Sequence, residues 1–143
     1  MTRKDRRPPP PGELITVDGM RLHLEARGQD GPLLLLLHGY LASTAVWQPA
    51  LPMLGQGARA VALDLPGCGY SDRPLDAPYD LPWFADLVPR VLDALGAPRA
   101  VLVGHSLGGG VGLHVARKHP DRVAGLVLVS PLAYAPPPPP GLR

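Results

Sequence analysis

Cysteine occurs once in 143 residues, at Cys68, which excludes an internal disulfide and fits a reducing compartment. Long apolar runs are missing as well. Leu33 to Leu37 and Val123 to Val129 fall far short of the roughly 20 residues that span a bilayer. Arg3, Lys4, Arg6 and Arg7 resemble the basic start of a signal peptide, but Pro8 to Pro11 stand where its apolar segment is needed. The Arg6-Arg7 pair is no twin-arginine signal for the same reason. These absences predict a soluble, cytoplasmic protein. No metal-ligand spacing, Walker A loop or complete G-x-G-x-x-G is present, so neither metal nor cofactor is expected. There is no internal repeat. No aspartate or glutamate follows Asp121, and no histidine follows His119.

The formal charge of +2 carries little meaning, because four basic residues against one acidic one lie within Met1 to Arg7. Without that segment, 10 basic and 11 acidic residues leave a net charge of −1. Nothing here argues for nucleic acid or a membrane as partner. The length suffices for one core and not for two full domains.

Two proline runs, Pro8 to Pro11 and Pro136 to Pro140, hold nine of the 20 prolines. Such runs favour polyproline II and offer no amide donors, so residues 1–12 and 134–143 read as disordered tails around a domain at 13–133. The C-terminal run lacks the flanking pattern of a ligand for a proline-reading domain.

Between the tails, Glu13 to Val17 and Met20 to Ala26 alternate apolar and polar residues around Asp18-Gly19, a hairpin signal. Leu33 to Leu37, Ala58 to Leu63, Ala100 to Val103 and Val123 to Val129 read as buried strands. Val46 to Leu54 is expected to form a short helix, and Leu107 to Lys118 another that stops before His119-Pro120. Asp80 to Leu95 places apolar residues at helical spacing, with Asp80 to cap its start and Gly96 its end. Pro89 is expected to kink or break that helix near Ala85. Buried strands alternating with helices predict an α/β fold: a mostly parallel sheet with a leading antiparallel hairpin and helices on both faces, in three α/β/α layers.

Gly104-His105-Ser106-Leu107-Gly108 matches G-x-S-x-G, and its context gives the match weight, since Val101 to Val103 precede it and a helix follows. A serine on a sharp strand-to-helix turn projects its hydroxyl above the sheet at strained backbone angles. Residues two positions away crowd that turn, so Gly104 and Gly108 relieve it. The helix behind points its amides toward developing negative charge. His38-Gly39-Tyr40 follows directly on Leu33 to Leu37. A tetrahedral oxyanion needs two donors, and the amides of Leu107 and Tyr40 are placed to supply them.

Three blocks in order, Leu35 to Gly39, Asp64 to Asp72 and Gly104 to Gly109, resemble the α/β-hydrolase superfamily. Residues 14–131 look like its N-terminal half, in the branch of serine esterases, perhydrolases and carbon–carbon bond hydrolases. Relatives with aspartate at the nucleophile are disfavoured by the serine. The resemblance implies a serine hydrolase acting on an ester-like or activated carbonyl in a small molecule, with Ser106 catalytic and His38, Gly39, Gly104, His105 and Gly108 supporting elbow and loop. In that family an acid and then a histidine follow the serine in the chain, and here neither does. The chain therefore reads as a truncated or frame-shifted hydrolase, or as half of an assembled one. The alternative is a non-catalytic remnant or binding module that keeps the pocket.

His23, His105, His114 and His119 do not present themselves as bases, and His38 reads as a loop organiser. Asp64 and Asp72 fall in a structural loop, and Cys68 reads as a filler within it. Tyr40, Trp47, Trp83 and Phe84 read as core and pocket lining. The final strand leaves an open apolar edge, which invites self-association.

Overall fold

Asp18 (φ 51°) and Gly19 (φ 77°) both take positive φ, as the tightest hairpin turns require. They join β1 (Glu13–Val17) to β2 (Met20–Arg27) in an antiparallel pair. The structure, a computed structural model, describes residues 11–133; both predicted tails lie largely outside them. Four further strands, β3 (Leu33–Leu37), β4 (Arg59–Leu63), β5 (Ala100–His105) and β6 (Val123–Val129), run parallel to one another. The sheet order is β1-β2-β4-β3-β5-β6, with β2 antiparallel to β4. Leu37 of β3 is in register with both Leu63 of β4 and Gly104 of β5. The segments beginning at His38, Asp64 and Ser106 therefore leave one end of the sheet together, where open α/β sheets place their ligands.

Helices flank both faces, unevenly. On one face, α2 (Leu81–Ala94) buries Phe84, Ala85, Leu87, Val88, Val91 and Leu92, and α3 (Leu107–Lys118) adds Val111 and Val115. They close over Leu22, Leu24, Leu35, Leu37, Val61, Leu63 and Leu102. The opposite face has a small cluster of Leu36, Leu51, Ala60 and Ala62, flanked by Trp47, Leu54 and Val103.

The ends of α2 follow the sequence signals. Asp80 accepts a hydrogen bond from the Trp83 amide (2.9 Å). At the other end Gly96 (φ 70°) lets its own amide reach Asp93 O (3.0 Å) and that of Ala97 reach Leu92 O (2.9 Å).

Three expectations are corrected. The single helix foreseen at Val46 to Leu54 is a 3₁₀ turn at Thr44–Trp47 followed by the one-turn α1 (Leu51–Leu54). Pro49 and Pro52 remove two of the amides a continuous helix there needs. Pro89, by contrast, does not break α2, which runs unbroken from Leu81 to Ala94. Six buried side chains on that helix outweigh one missing backbone bond. Finally, β6 is not buried like the other parallel strands: Val127, Leu128 and Val129 are 49%, 36% and 46% exposed. It forms the sheet's edge, the open apolar margin foreseen from the end of the strand pattern. Among the described residues no helix is long and apolar enough to cross a membrane.

Candidate active site

Ser106 connects β5 to α3 with φ 52° and ψ −113°, a conformation that an L-residue holds only when its surroundings enforce it. Three backbone bonds do so. The Ser106 amide donates to Val129 O (3.1 Å), and its carbonyl accepts from the amides of Gly110 (3.1 Å) and Leu132 (2.8 Å). The crossing is too tight for side chains on either side. A Cβ on Gly104 would stand 2.4 Å from Gly108 O, and one on Gly108 would stand 2.2 Å from Leu37 O.

The loop after β3 lies against this turn. A Cβ on Gly39 would be 3.3 Å from Ser106 Cβ and 3.2 Å from His105 Nδ1. Gly39 O is held from two sides, by the Ala42 amide (3.1 Å) and by His38 Nδ1 (2.7 Å). The C=O and N–H of one trans peptide point in opposite directions, so pinning Gly39 O turns the Tyr40 amide away from His38. Among the described residues neither the Tyr40 amide nor the Leu107 amide has a hydrogen-bond partner. The Tyr40 side chain itself is exposed.

His38 is fully buried, and both ring nitrogens are occupied by backbone. Nε2 accepts from the Leu65 amide (3.0 Å), which leaves the proton on Nδ1, donated to Gly39 O. Burial pushes its pKa below the ordinary value of 6.5, against the smaller opposing effects of the Gly39 carbonyl and Asp64. His38 thus fastens the β3 loop to the β4 loop as a neutral ring. His105 is exposed and borders Gly39.

The remaining histidines are engaged elsewhere. His114 Nδ1 lies 3.0 Å from Gly110 O, and His119 Nε2 lies 3.2 Å from Asp86, whose carboxyl Lys118 and then His119 hold below the usual range. His23, which the sequence placed only in a hairpin, is a buried node. Its Nδ1 meets Asp64 Oδ2 at 2.8 Å, and its Nε2 meets the Pro11 carbonyl. The ring thus bridges the β4 loop and the start of the described chain. Asp64 also accepts from the amides of Thr44 (2.7 Å) and Tyr70 (3.0 Å). A Cβ on Gly69 would fall 2.1 Å from this carboxylate, so the loop can wrap it only as glycine. The 41-residue separation of His23 and Asp64 offered no sequence signal. No histidine side chain among the described residues hydrogen-bonds Ser106.

Beside the elbow lies a cleft of about 730 Å³. Tyr40, Leu41 and Leu107 form its elbow side, and Leu75, Leu81, Phe84 and Leu132 much of its apolar wall. Cys68 belongs to the wall, and burial pushes its thiol pKa up, away from a reactive thiolate. Arg73 and Asp80 are its charged residues. Sequence reasoning passed over Arg73, although it directly follows the Asp64–Asp72 block.

Residues 32–143 match a family profile described as alpha/beta hydrolase fold. The chain is 48% identical over 113 residues to the carbamate hydrolase named RutD in Variovorax paradoxus (strain S110), covering 78% of this chain and 42% of that protein. It is 40% identical over 121 residues to the 2-hydroxymuconate semialdehyde hydrolase of Pseudomonas sp. (strain CF600), covering 82% of this chain and 42% of that one. Among solved structures it resembles a mutant meta-cleavage product hydrolase from Pseudomonas fluorescens IP01, crystallised with acetates. That likeness has a TM-score of 0.79 and 29% identity over 84% of this chain and 45% of the other. The chain thus spans about two-fifths of the length of these curated relatives.

Proposed function

The chain belongs to the α/β-hydrolase fold family, and from that premise we propose that its elbow end forms the nucleophile half of a serine-hydrolase site. Ser106 Oγ attacks the carbonyl carbon of an ester-like or activated small-molecule substrate. The amides of Tyr40 and Leu107 receive the oxyanion, and His38 sets the first of these by pinning Gly39 O. Gly39, Gly104 and Gly108 let the chain cross closely, and His105 fills the elbow on the Gly39 side. The observation that carries this reading is the backbone of Ser106, held at φ 52° by three hydrogen bonds beside an apolar cleft. Strain of this kind persists where the surrounding structure enforces it, and such sites cluster at reactive positions. The names of the relatives support carbonyl chemistry on small molecules.

Attack also requires a base to take the Ser106 proton. The described histidines are exposed or bound elsewhere, so the base and its acid partner have to come from outside them. Unassisted, the serine retains on the order of 10⁻⁴ to 10⁻⁶ of the turnover of a complete triad. That deficit sets the test. Added imidazole is expected to raise p-nitrophenyl acetate hydrolysis by this chain above that of Ser106→Ala in the same buffer. Equal rates for the two proteins would remove Ser106 as nucleophile.

The missing base favours a second reading, a module that binds carbonyl compounds without turnover. It predicts ligand-induced shifts at the cleft with no imidazole-dependent rate. The lone thiol supports a reducing, cytoplasmic setting, and the exposed outer strand β6 supports self-association along its edge.

A further inference from the structure

Arg73 stands out in the cleft wall. Its guanidinium donates from one terminal nitrogen to Gly67 O and from the other to Gly69 O (3.0 Å). Both acceptors are neutral carbonyls, and among the described residues no carboxylate forms an ion pair with it. Two other polar residues of the wall already have partners in the protein. Asp80 caps α2 through the Trp83 amide, and the Tyr79 hydroxyl donates to Pro74 O (2.7 Å). A guanidinium carries five N–H donors. Anchoring two of them to the loop fixes the group in place and leaves three for a ligand. A held cation without a counter-ion, set in a largely apolar wall, complements a molecule with an apolar body and a carboxylate end.

We infer that Arg73 is a specificity-determining residue, and that the cleft selects carbonyl substrates bearing a carboxylate over their neutral counterparts. The inference rests on the proposed function, with the substrate of Ser106 seated in this cleft, but it needs no chemistry at Ser106. The probes are 6-oxoheptanoate and its methyl ester, neither of which needs to turn over. Chemical-shift titration of the ¹⁵N-labelled chain follows their binding through amides of the wall, such as Leu41 and Phe84.

The acid is expected to bind about five- to tenfold more tightly than the ester, the usual reach of one partly exposed charge-assisted contact. Raising the salt from 0.02 M to 0.5 M should shrink that preference. Arg73→Met, which keeps the apolar stem, should abolish it, and Arg73→Lys should keep part of it. Equal binding of acid and ester by the unaltered chain would overturn the inference, as would a preference indifferent to salt. A preference that survives in a folded Arg73→Met would do the same. If that variant does not fold, the unaltered chain's acid-to-ester ratio and its salt dependence decide alone. The two readings fail separately: loss of imidazole rescue sinks the Ser106 assignment, whereas loss of the acid preference sinks only the role of Arg73.

Discussion

The two faces of the sheet are finished to different degrees. Under α2 and α3, leucines from four strands are sealed from water, and Leu102 of β5 meets Leu126 of β6 in register. On the other face Val103 pairs with Val127, and Val127 remains about half exposed. The serine turn is anchored to the finished side: its helix α3 is part of that layer, and Gly108 lies against the end of β3. The turn that carries Ser106 is thus built on the closed layer, while the opposite face keeps an exposed outer strand.

Substitutions can sharpen this contrast. The largest effect is expected where α3 crosses the sheet. Gly108→Ala sets a Cβ 2.2 Å from a backbone oxygen that cannot swing aside, so urea denaturation should show a loss on the order of 3–5 kcal/mol. Gly57→Ala, with nothing within 4 Å of its new Cβ, serves as the control and should change stability by less than about 0.5 kcal/mol. Next comes the core: Leu102→Ala, fully buried on the closed face, should cost about 3 kcal/mol in the same assay.

A smaller effect concerns pH. Burial holds the folded His38 pKa below 6.5, so below that value the unfolded chain binds the proton more readily than the folded one. The His38 contribution is therefore complete above 6.5 and is lost as the pH falls beneath it. Denaturation at pH 7.5 and 5.5 should show a steeper loss for the unaltered chain than for His38→Gln. The smallest effect belongs to the open face, where Val127→Ser should change stability by less than about 0.5 kcal/mol. A loss like that of Leu102→Ala would mean that this face is covered after all, for instance by a second copy.

Local signals made much of the fold legible. Asp18-Gly19 fixed the hairpin, Asp80 and Gly96 fixed the ends of α2, and Gly104 to Gly108 marked the strand-to-helix turn, because each acts within a few residues. Where neighbours far apart in sequence decide, legibility ended. The apolar stripe around Pro89 was legible, but not that burial of Phe84, Leu87, Val88 and Val91 would outweigh the proline and carry the helix through it. The placement of β4 between β2 and β3 depends on pairings such as Leu24 with Leu63, which no single segment encodes. The His23–Asp64 node and the anchoring of Arg73 on Gly67 and Gly69 are likewise products of loops brought together. For the site, residue types and order were legible in the sequence; the partners of His23, His38, His114 and His119 emerged only from the contacts.

The clamp on Ser106 also has a consequence for how the molecule is made. Its amide is tied to Val129 and its carbonyl to Leu132, both downstream in the chain. A ribosome delivers residues at about 5–20 per second, so for a second or more after Ser106 is added these two restraints have not yet been synthesised. During that interval the serine is free to relax into an ordinary conformation. Its strained conformation is secured late, when the outermost strand docks, which makes that docking a checkpoint between a folded layer and a set turn.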